Sequence, residues 1–158
     1  MSKKVVLAFS GGLDTSFCVP YLKNEHGYEV HTVMVNTGGF SAEEEKAIEQ
    51  RALTLGAASH KTVNAVETYY NKGIKYLIYG NILKNATYPL SVSSERVFQA
   101  LEVLKHVKEL GADAVAHGST GAGNDQVRFD IVFEILAPAV EIIAPVREHC
   151  FTRQYEID

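Results

Sequence analysis

Apolar positions follow two alternating periods along the chain. Val5-Val6-Leu7-Ala8-Phe9 is an unbroken apolar run, the pattern of a strand buried on both faces of a parallel sheet. A helix is predicted over about residues 15–24, closed near Gly27. Pro20 lies inside it, where a kink or irregular turn is expected because proline lacks a backbone donor. Residues 30–35 read as a second strand and Asn36-Thr37-Gly38-Gly39 as a loop. Ser41-Ala42-Glu43-Glu44 is a capping box, its glutamates a solvated first turn, opening a helix with Ile48, Ala52 and Leu55 on one face and Gly56 at its end. Residues 60–63 form a third predicted strand. Residues 66–79 are helical and rich in tyrosine, read as half-buried packing. Residues 80–93 look irregular, and a helix follows over 94–110, with Val97, Leu101, Leu104 and Val107 at helical spacing, Ser93 or Ser94 as the natural N-cap, and Gly111 as terminator. Residues 114–116 are a fourth strand, 118–124 a loop, 125–137 a helix stopped by Pro138, and 140–144 a fifth strand.

Strands alternating with long helices imply right-handed crossovers: an α/β fold with a doubly wound, parallel five-stranded sheet and helices on both faces. Ligands in such folds sit outside the carboxyl ends of the strands, at a topological switch point, so the loops after the first, second and fourth strands carry the functional information. No repeat or linker divides the chain, which reads as one domain over residues 1–145. Residues 146–158 turn polar and read as the start of a further domain.

Composition narrows the possibilities. The 158 residues are 46% hydrophobic and 22% charged, with a net charge of −4, which argues against an electrostatic grip on nucleic acid or an anionic membrane. Two cysteines, Cys18 and Cys150, suit a reducing compartment better than a disulfide framework. No apolar run approaches the roughly 18 residues of a membrane helix, and Met1-Ser2-Lys3-Lys4 leads into too short an apolar run for a signal peptide. A cytoplasmic protein is expected.

Two segments carry chemistry. Ser10-Gly11-Gly12-Leu13-Asp14-Thr15-Ser16 follows the first strand and opens the first helix. Its glycines expose successive backbone amides, its hydroxyls add donors, and a helix N-terminus adds partial positive charge, so it suits a pyrophosphate or triphosphate tail. Asp14 or Thr15 could instead cap the helix, and Asp14 could hold Mg²⁺ against phosphates; the residues alone leave these open. The lysine-bearing phosphate loop of ordinary nucleotide hydrolases is absent. The second segment is His117-Gly118-Ser119-Thr120-Gly121-Ala122-Gly123-Asn124-Asp125-Gln126-Val127-Arg128. Asn124, Asp125 and Arg128 are spaced to project from one side of a helix's first turn. Asp125 and Arg128 suit an ammonium and a carboxylate, the two ends of an amino acid, or else pair with each other. Tyr88, Ser91, Ser93, Ser94 and Arg96 form a third polar cluster before the fourth long helix, and His117 is simply a strand-end residue.

The first segment resembles the SGGLD[ST]S pyrophosphatase loop of ATP-cleaving ligases and thiolases. The second closely resembles the HG[AS]TGKGNDQVRFE segment of the argininosuccinate synthase family. The resemblance spans essentially the whole chain but only the nucleotide-binding domain of that family. It implies a Rossmann-like fold of the HUP type and ATP-dependent ligation of L-citrulline to L-aspartate, with AMP and pyrophosphate released through a citrullyl-adenylate and Mg²⁺ as the usual ion. By motif position it implies that Ala8, Phe9, Ser10, Gly11, Gly12, Leu13, Asp14, Thr15, Ser16, Val35 and Gly118 bind ATP. Tyr88, Ser93, Asn124 and Arg128 would bind citrulline, and Thr120, Asn124 and Asp125 aspartate. No side chain is an obvious nucleophile or general base, so catalysis would rest on positioning and charge stabilisation. The resemblance further implies a cytoplasmic enzyme, homo-tetrameric at full length, whose synthetase domain begins in residues 146–158, so that the 158-residue chain is inactive alone. The sequence departs from the family at Ala122, where lysine is usual, and at Asn36-Thr37-Gly38-Gly39, where N-I-G-Q is commoner. Two other classes compete: a pyrophosphatase-loop enzyme acting on tRNA, disfavoured by the acidic charge, and a non-catalytic ATP-binding module, which has no use for the first loop.

Overall fold

A computed structural model describes residues 2–149. Five parallel strands form the central sheet in the order β3-β2-β1-β6-β7: β1 (Lys4–Ala8), β2 (Glu29–Asn36), β3 (Ser59–Asn64), β6 (Ala114–His117) and β7 (Glu141–Ile143). A small antiparallel hairpin, β4 (Leu83–Lys84) and β5 (Tyr88–Pro89), stands apart from it. The helices are α1 (Leu13–Asn24), α2 (Ala42–Thr54), α3 (Val66–Tyr69), α4 (Lys75–Tyr79), α5 (Ser91–Leu110), α6 (Asp125–Leu136) and α7 (Pro145–His149).

The β1 run splits by parity, as strand geometry requires. Val5, Leu7 and Phe9 join Cys18, Val19 and Leu22 of α1, Ile48 and Ala52 of α2, and Val146 of α7 in one core. Val6 joins Val103, Leu104 and Val107 of α5 and Phe129, Val132 and Phe133 of α6 in the other. Both faces are therefore covered, as a doubly wound sheet demands. The chain builds outward from β1 to β3, then crosses back to place β6 on the other flank of β1. The switch point lies between β1 and β6, where Ala8 pairs with His117 on one side and Val33 on the other.

Several expectations need correction. The region 66–79 is helical but not uniform: a π-helical turn, Tyr70–Ile74, separates α3 from α4. Of its tyrosines only Tyr69 is buried, while Tyr70, Tyr76 and Tyr79 are exposed. The stretch before α5 contains the β4–β5 hairpin, and α5 starts at Ser91 with Leu90 at its N-cap, so neither Ser93 nor Ser94 caps it. Ser94 Oγ is engaged instead with the Tyr69 hydroxyl at 2.9 Å, tying α3 to α5. Helix α1 continues past Pro20 to Asn24 without a break. Gly111 ends α5 in the left-handed conformation, with φ of +58°. The capping box at Ser41 and Glu44 is formed in both directions, but Glu45 is not merely solvated: its Oε1 accepts from Asn36 Nδ2 at 2.7 Å. Of the segment 146–158, Val146 to His149 complete α7, with Val146 buried; Cys150 and the residues after it lie outside the described residues. Among the described residues no helix is long and apolar enough to cross a membrane.

Candidate nucleotide and amino-acid site

The segment after β1 turns on Gly11, whose φ is +75°. A side chain there would place its Cβ 2.9 Å from Ile48 Cγ1, so glycine is required both by the backbone and by the packing of α2 behind the loop. Arg51 of α2 donates to the Gly11 carbonyl, fixing the loop from the same side. Gly12 occupies the N-cap of α1 in extended geometry, and no side chain caps the helix. Asp14 and Thr15 therefore do not do so. Thr15 Oγ1 instead donates to the Gly12 carbonyl at 3.2 Å and lies 3.2 Å from Ser10 Oγ, closing the loop on itself. The first-turn amides of α1 are thus left to a ligand or water. Ser16 Oγ is buried without a hydrogen-bond partner, an uncommon condition for a hydroxyl.

The loop after β6 approaches this turn closely. His117 is 1% exposed, and its burial lowers its pKa against the opposing pull of Asp130. Its Nδ1 accepts from the Ser119 amide at 3.3 Å, and its Nε2 donates to Asp130 Oδ1 at 2.9 Å. That pattern fixes the neutral Nε2-protonated tautomer. Asp130 also accepts from Arg147 of α7, so a strand-end residue expected to be idle anchors the loop to two helices.

Between the two loops lies a cavity of about 750 Å³, within the range of small-molecule sites. Of the expected ATP residues, Ala8, Phe9, Ser10, Gly12, Leu13, Asp14, Thr15, Val35 and Gly118 line it. Gly11 and Ser16 do not: the first turns the loop and the second is buried behind it. Thr120 and Asp125 of the expected aspartate set also line the cavity; Asn124, at the N-cap of α6, does not. The expected citrulline residues stand outside its wall, with Tyr88 exposed on β5. Ser93 and Arg128 are nevertheless joined, Arg128 Nη2 donating to Ser93 Oγ at 3.0 Å.

Asp125 and Arg128 pair with each other at 2.5 Å, the internal ion pair that their spacing left open. Asp125 also takes Arg96 Nε at 3.2 Å, so one carboxylate is held between two guanidinium groups. Glu95, Gln99 and Phe40 line the cavity without having been singled out in the sequence. Glu95 and Gln99 lie one turn apart at the start of α5, off the apolar stripe, and Glu95 Oε1 accepts from Thr37 Oγ1 at 2.5 Å. The only local signal was two polar residues at i, i+4. Phe40 could have been flagged as an aromatic residue in a glycine-bearing loop.

A doubly wound parallel sheet, a glycine loop opening α1 and a cavity at the switch point together define a nucleotide-binding α/β domain of the HUP, Rossmann-like class. Comparison with known proteins agrees and goes further. The family described as the arginosuccinate synthase N-terminal HUP domain matches residues 4–158. Argininosuccinate synthases from Xanthomonas campestris pv. campestris and Saccharolobus solfataricus are 50% and 46% identical over 98% of the chain. The enzyme of that name from Methanocaldococcus jannaschii is 44% identical over all of it. The chain belongs to the argininosuccinate synthase family, as its N-terminal HUP domain. It spans 38–40% of the length of these curated relatives. Among solved structures, a predicted subunit of a tRNA methyltransferase from Methanocaldococcus jannaschii superposes with a TM-score of 0.62 at 19% identity, covering 98% of this chain and 72% of that one. The NMN synthetase of Francisella tularensis gives 0.58 at 10% identity, over 75% and 46%. These two likenesses concern the fold alone.

Proposed function

We propose that this domain binds ATP for the ligation of L-citrulline to L-aspartate, giving argininosuccinate, AMP and pyrophosphate through a citrullyl-adenylate. The observation that carries the reading is the convergence of two loops on one cavity: an uncapped α1 N-terminus behind Ser10-Gly11-Gly12, and the β6–α6 loop with Thr120 and Asp125. The first offers amides and hydroxyls to a pyrophosphate group. The second offers groups that suit amino-acid ends.

In this reading the phosphates lie over residues 10–16 and the adenine side lies toward Val35. Thr120 and Asp125, with neighbouring Asn124, receive aspartate, Asp125 meeting its ammonium. Citrulline is held by Ser93 and Arg128 together with Asn124 and Tyr88, on the side where Arg128 already meets Ser93. No nucleophile or general base is needed: alignment of the ureido oxygen with the α-phosphorus and stabilisation of phosphate charge are sufficient. Asp14 lines the cavity beside the loop and is the carboxylate that would hold Mg²⁺ against the phosphates. Mg²⁺ bound so would neutralise phosphate charge.

Two measurements test the reading. Inorganic pyrophosphate should compete with ATP for the 158-residue chain; ATP binding indifferent to pyrophosphate removes the phosphate assignment. A product assay with citrulline, aspartate and ATP should show argininosuccinate from a full-length relative and none from this chain alone, because a cavity open on one sheet edge leaves an adenylate exposed to water. Turnover by the chain near that of the relative would show that one domain suffices.

A further inference from the structure

We infer that Arg96 is the cation with which this cavity holds the phosphate oxygens of its nucleotide, an inference that rests on the ATP-binding reading above. Charge matching points there. Of the described side chains lining the cavity, Asp14, Glu95 and Asp125 are acidic, and Arg96 alone carries a permanent positive charge. His117 also lines it but is buried in the neutral tautomer fixed by Ser119 and Asp130. Neither loop supplies a lysine or arginine: residues 10–16 and 117–124 contain none, and position 122 is alanine. A triphosphate entering this space brings several negative charges toward three carboxylates. The α1 terminus contributes a partial charge of only about +0.5. Even with Mg²⁺ on the phosphates, three carboxylates beside them leave an excess that is costly in a partly enclosed site, and a side-chain cation offsets it.

Other basic residues are committed elsewhere. Arg51 is bound to the Gly11 carbonyl behind the loop, and Arg147 to Asp130; neither lines the cavity. Arg128 is held by Asp125 and Ser93 and stands outside the wall. Arg96 differs in two respects. It projects from the first turns of a long helix, α5, so its origin is rigid. It donates to Asp125 Oδ2 through Nε at 3.2 Å and to Gln99 Oε1 through Nη1 at 2.9 Å, with Nη1 also 3.6 Å from Glu95 Oε2, which leaves the two Nη2 donors of the guanidinium fork for a ligand. The side chain is 31% exposed, enough to be reached. Should Arg96 turn fully toward phosphate, Asp125 keeps Arg128 at 2.5 Å and is not stranded. The planar fork suits the tetrahedral face of a phosphate better than the ammonium that is missing at position 122.

The test uses the 158-residue chain, with ATP, inorganic pyrophosphate and adenosine as probes. R96Q should weaken ATP and pyrophosphate by about 10- to 100-fold, the loss expected of a charged hydrogen bond, and leave adenosine affinity unchanged. R96K, which keeps the charge and loses the fork, should retain part of the affinity. In the unaltered chain the Nε–Hε NMR signal of Arg96, assigned by its loss in R96K, should shift on saturation with pyrophosphate, so the outcome does not depend on R96Q folding. ATP affinity in R96Q within two-fold of the parent overturns the inference, as does an unmoved Arg96 signal or an equal loss of adenosine binding. In each of those cases the ATP-binding reading survives, since the parent still binds. A parent chain that binds neither ATP nor pyrophosphate overturns both.

Discussion

Gly118 and Thr15 leave no room between them for a methyl group. A side chain at position 118 would place its Cβ 2.9 Å from Thr15 Cγ2 and 3.1 Å from the Thr15 amide nitrogen. Two loops from adjacent strands thus press together through a missing side chain, and the cavity opens beside that contact. Gly118→Ala should force the loops apart, costing about 1–3 kcal/mol as an overpacked site does and weakening ATP binding along with it. A denaturation midpoint equal to that of the parent would show the loops have slack.

Gly12 makes the opposite case. Its φ of −74° and ψ of 174° are ordinary extended backbone, and a Cβ there meets only Ser10 Oγ, at 3.4 Å. Gly12→Val should therefore still fold, at a cost of about 1 kcal/mol because valine is a poor N-cap residue, while its branched side chain covers the amides that face the phosphates. Calorimetric titration with ATP should show binding abolished; unchanged affinity would move the phosphates elsewhere.

Amino-acid selectivity is read in a full-length enzyme carrying this domain. Arg128→Leu should weaken citrulline by about 1.5–3 kcal/mol, the worth of a charge-assisted hydrogen bond. Asp125→Ala should raise the aspartate concentration required, and it also leaves Arg96 and Arg128 without their shared carboxylate. Steady-state kinetics with each substrate varied decides the matter. Effects confined to ATP in both variants would refute the division of roles.

Stability should fall on mild acidification. Burial lowers the pKa of His117, and also of His31 and His60, below the ordinary histidine value of about 6.5. Each binds fewer protons folded than unfolded, so stability is complete above that value and declines as pH drops from it through the folded pKa values. Urea midpoints measured from pH 7.5 to 5 should decrease, and His117→Gln should flatten part of the slope. A flat profile would mean these imidazoles titrate alike in both states.

The legible parts of the molecule were those whose meaning is local. The β1 run is apolar at every position because Val5, Leu7 and Phe9 face one core and Val6 the other. The two glycine segments announced themselves through turns that only such residues make easily. What stayed hidden depends on distant partners. A capping rule places the first turn of α5 at Ser94, yet the hairpin delivers the chain at Leu90, and Ser94 serves Tyr69 instead. A π turn adds a residue to the helical repeat and shifts its phase, so the burial expected for Tyr76 and Tyr79 from a regular helix is not realised. Glu95 and Gln99 become cavity residues only because the crossover lays α5 across the switch point, which no local pattern encodes.

The pairing of β1 with β6 carries a kinetic consequence. Leu7 lies beside Ala116, more than a hundred residues away in the chain, with β2, β3 and all of α5 intervening. Closing so long a loop is an entropic toll collected in one step, and contacts of this separation form slowly. The cavity cannot exist before that closure, since one wall hangs from each strand. Folding rate and site assembly are therefore the same event in this domain. A nucleotide spanning both loops would act as a clasp on the most distant junction of the sheet, slowing its unfolding more than it speeds its formation.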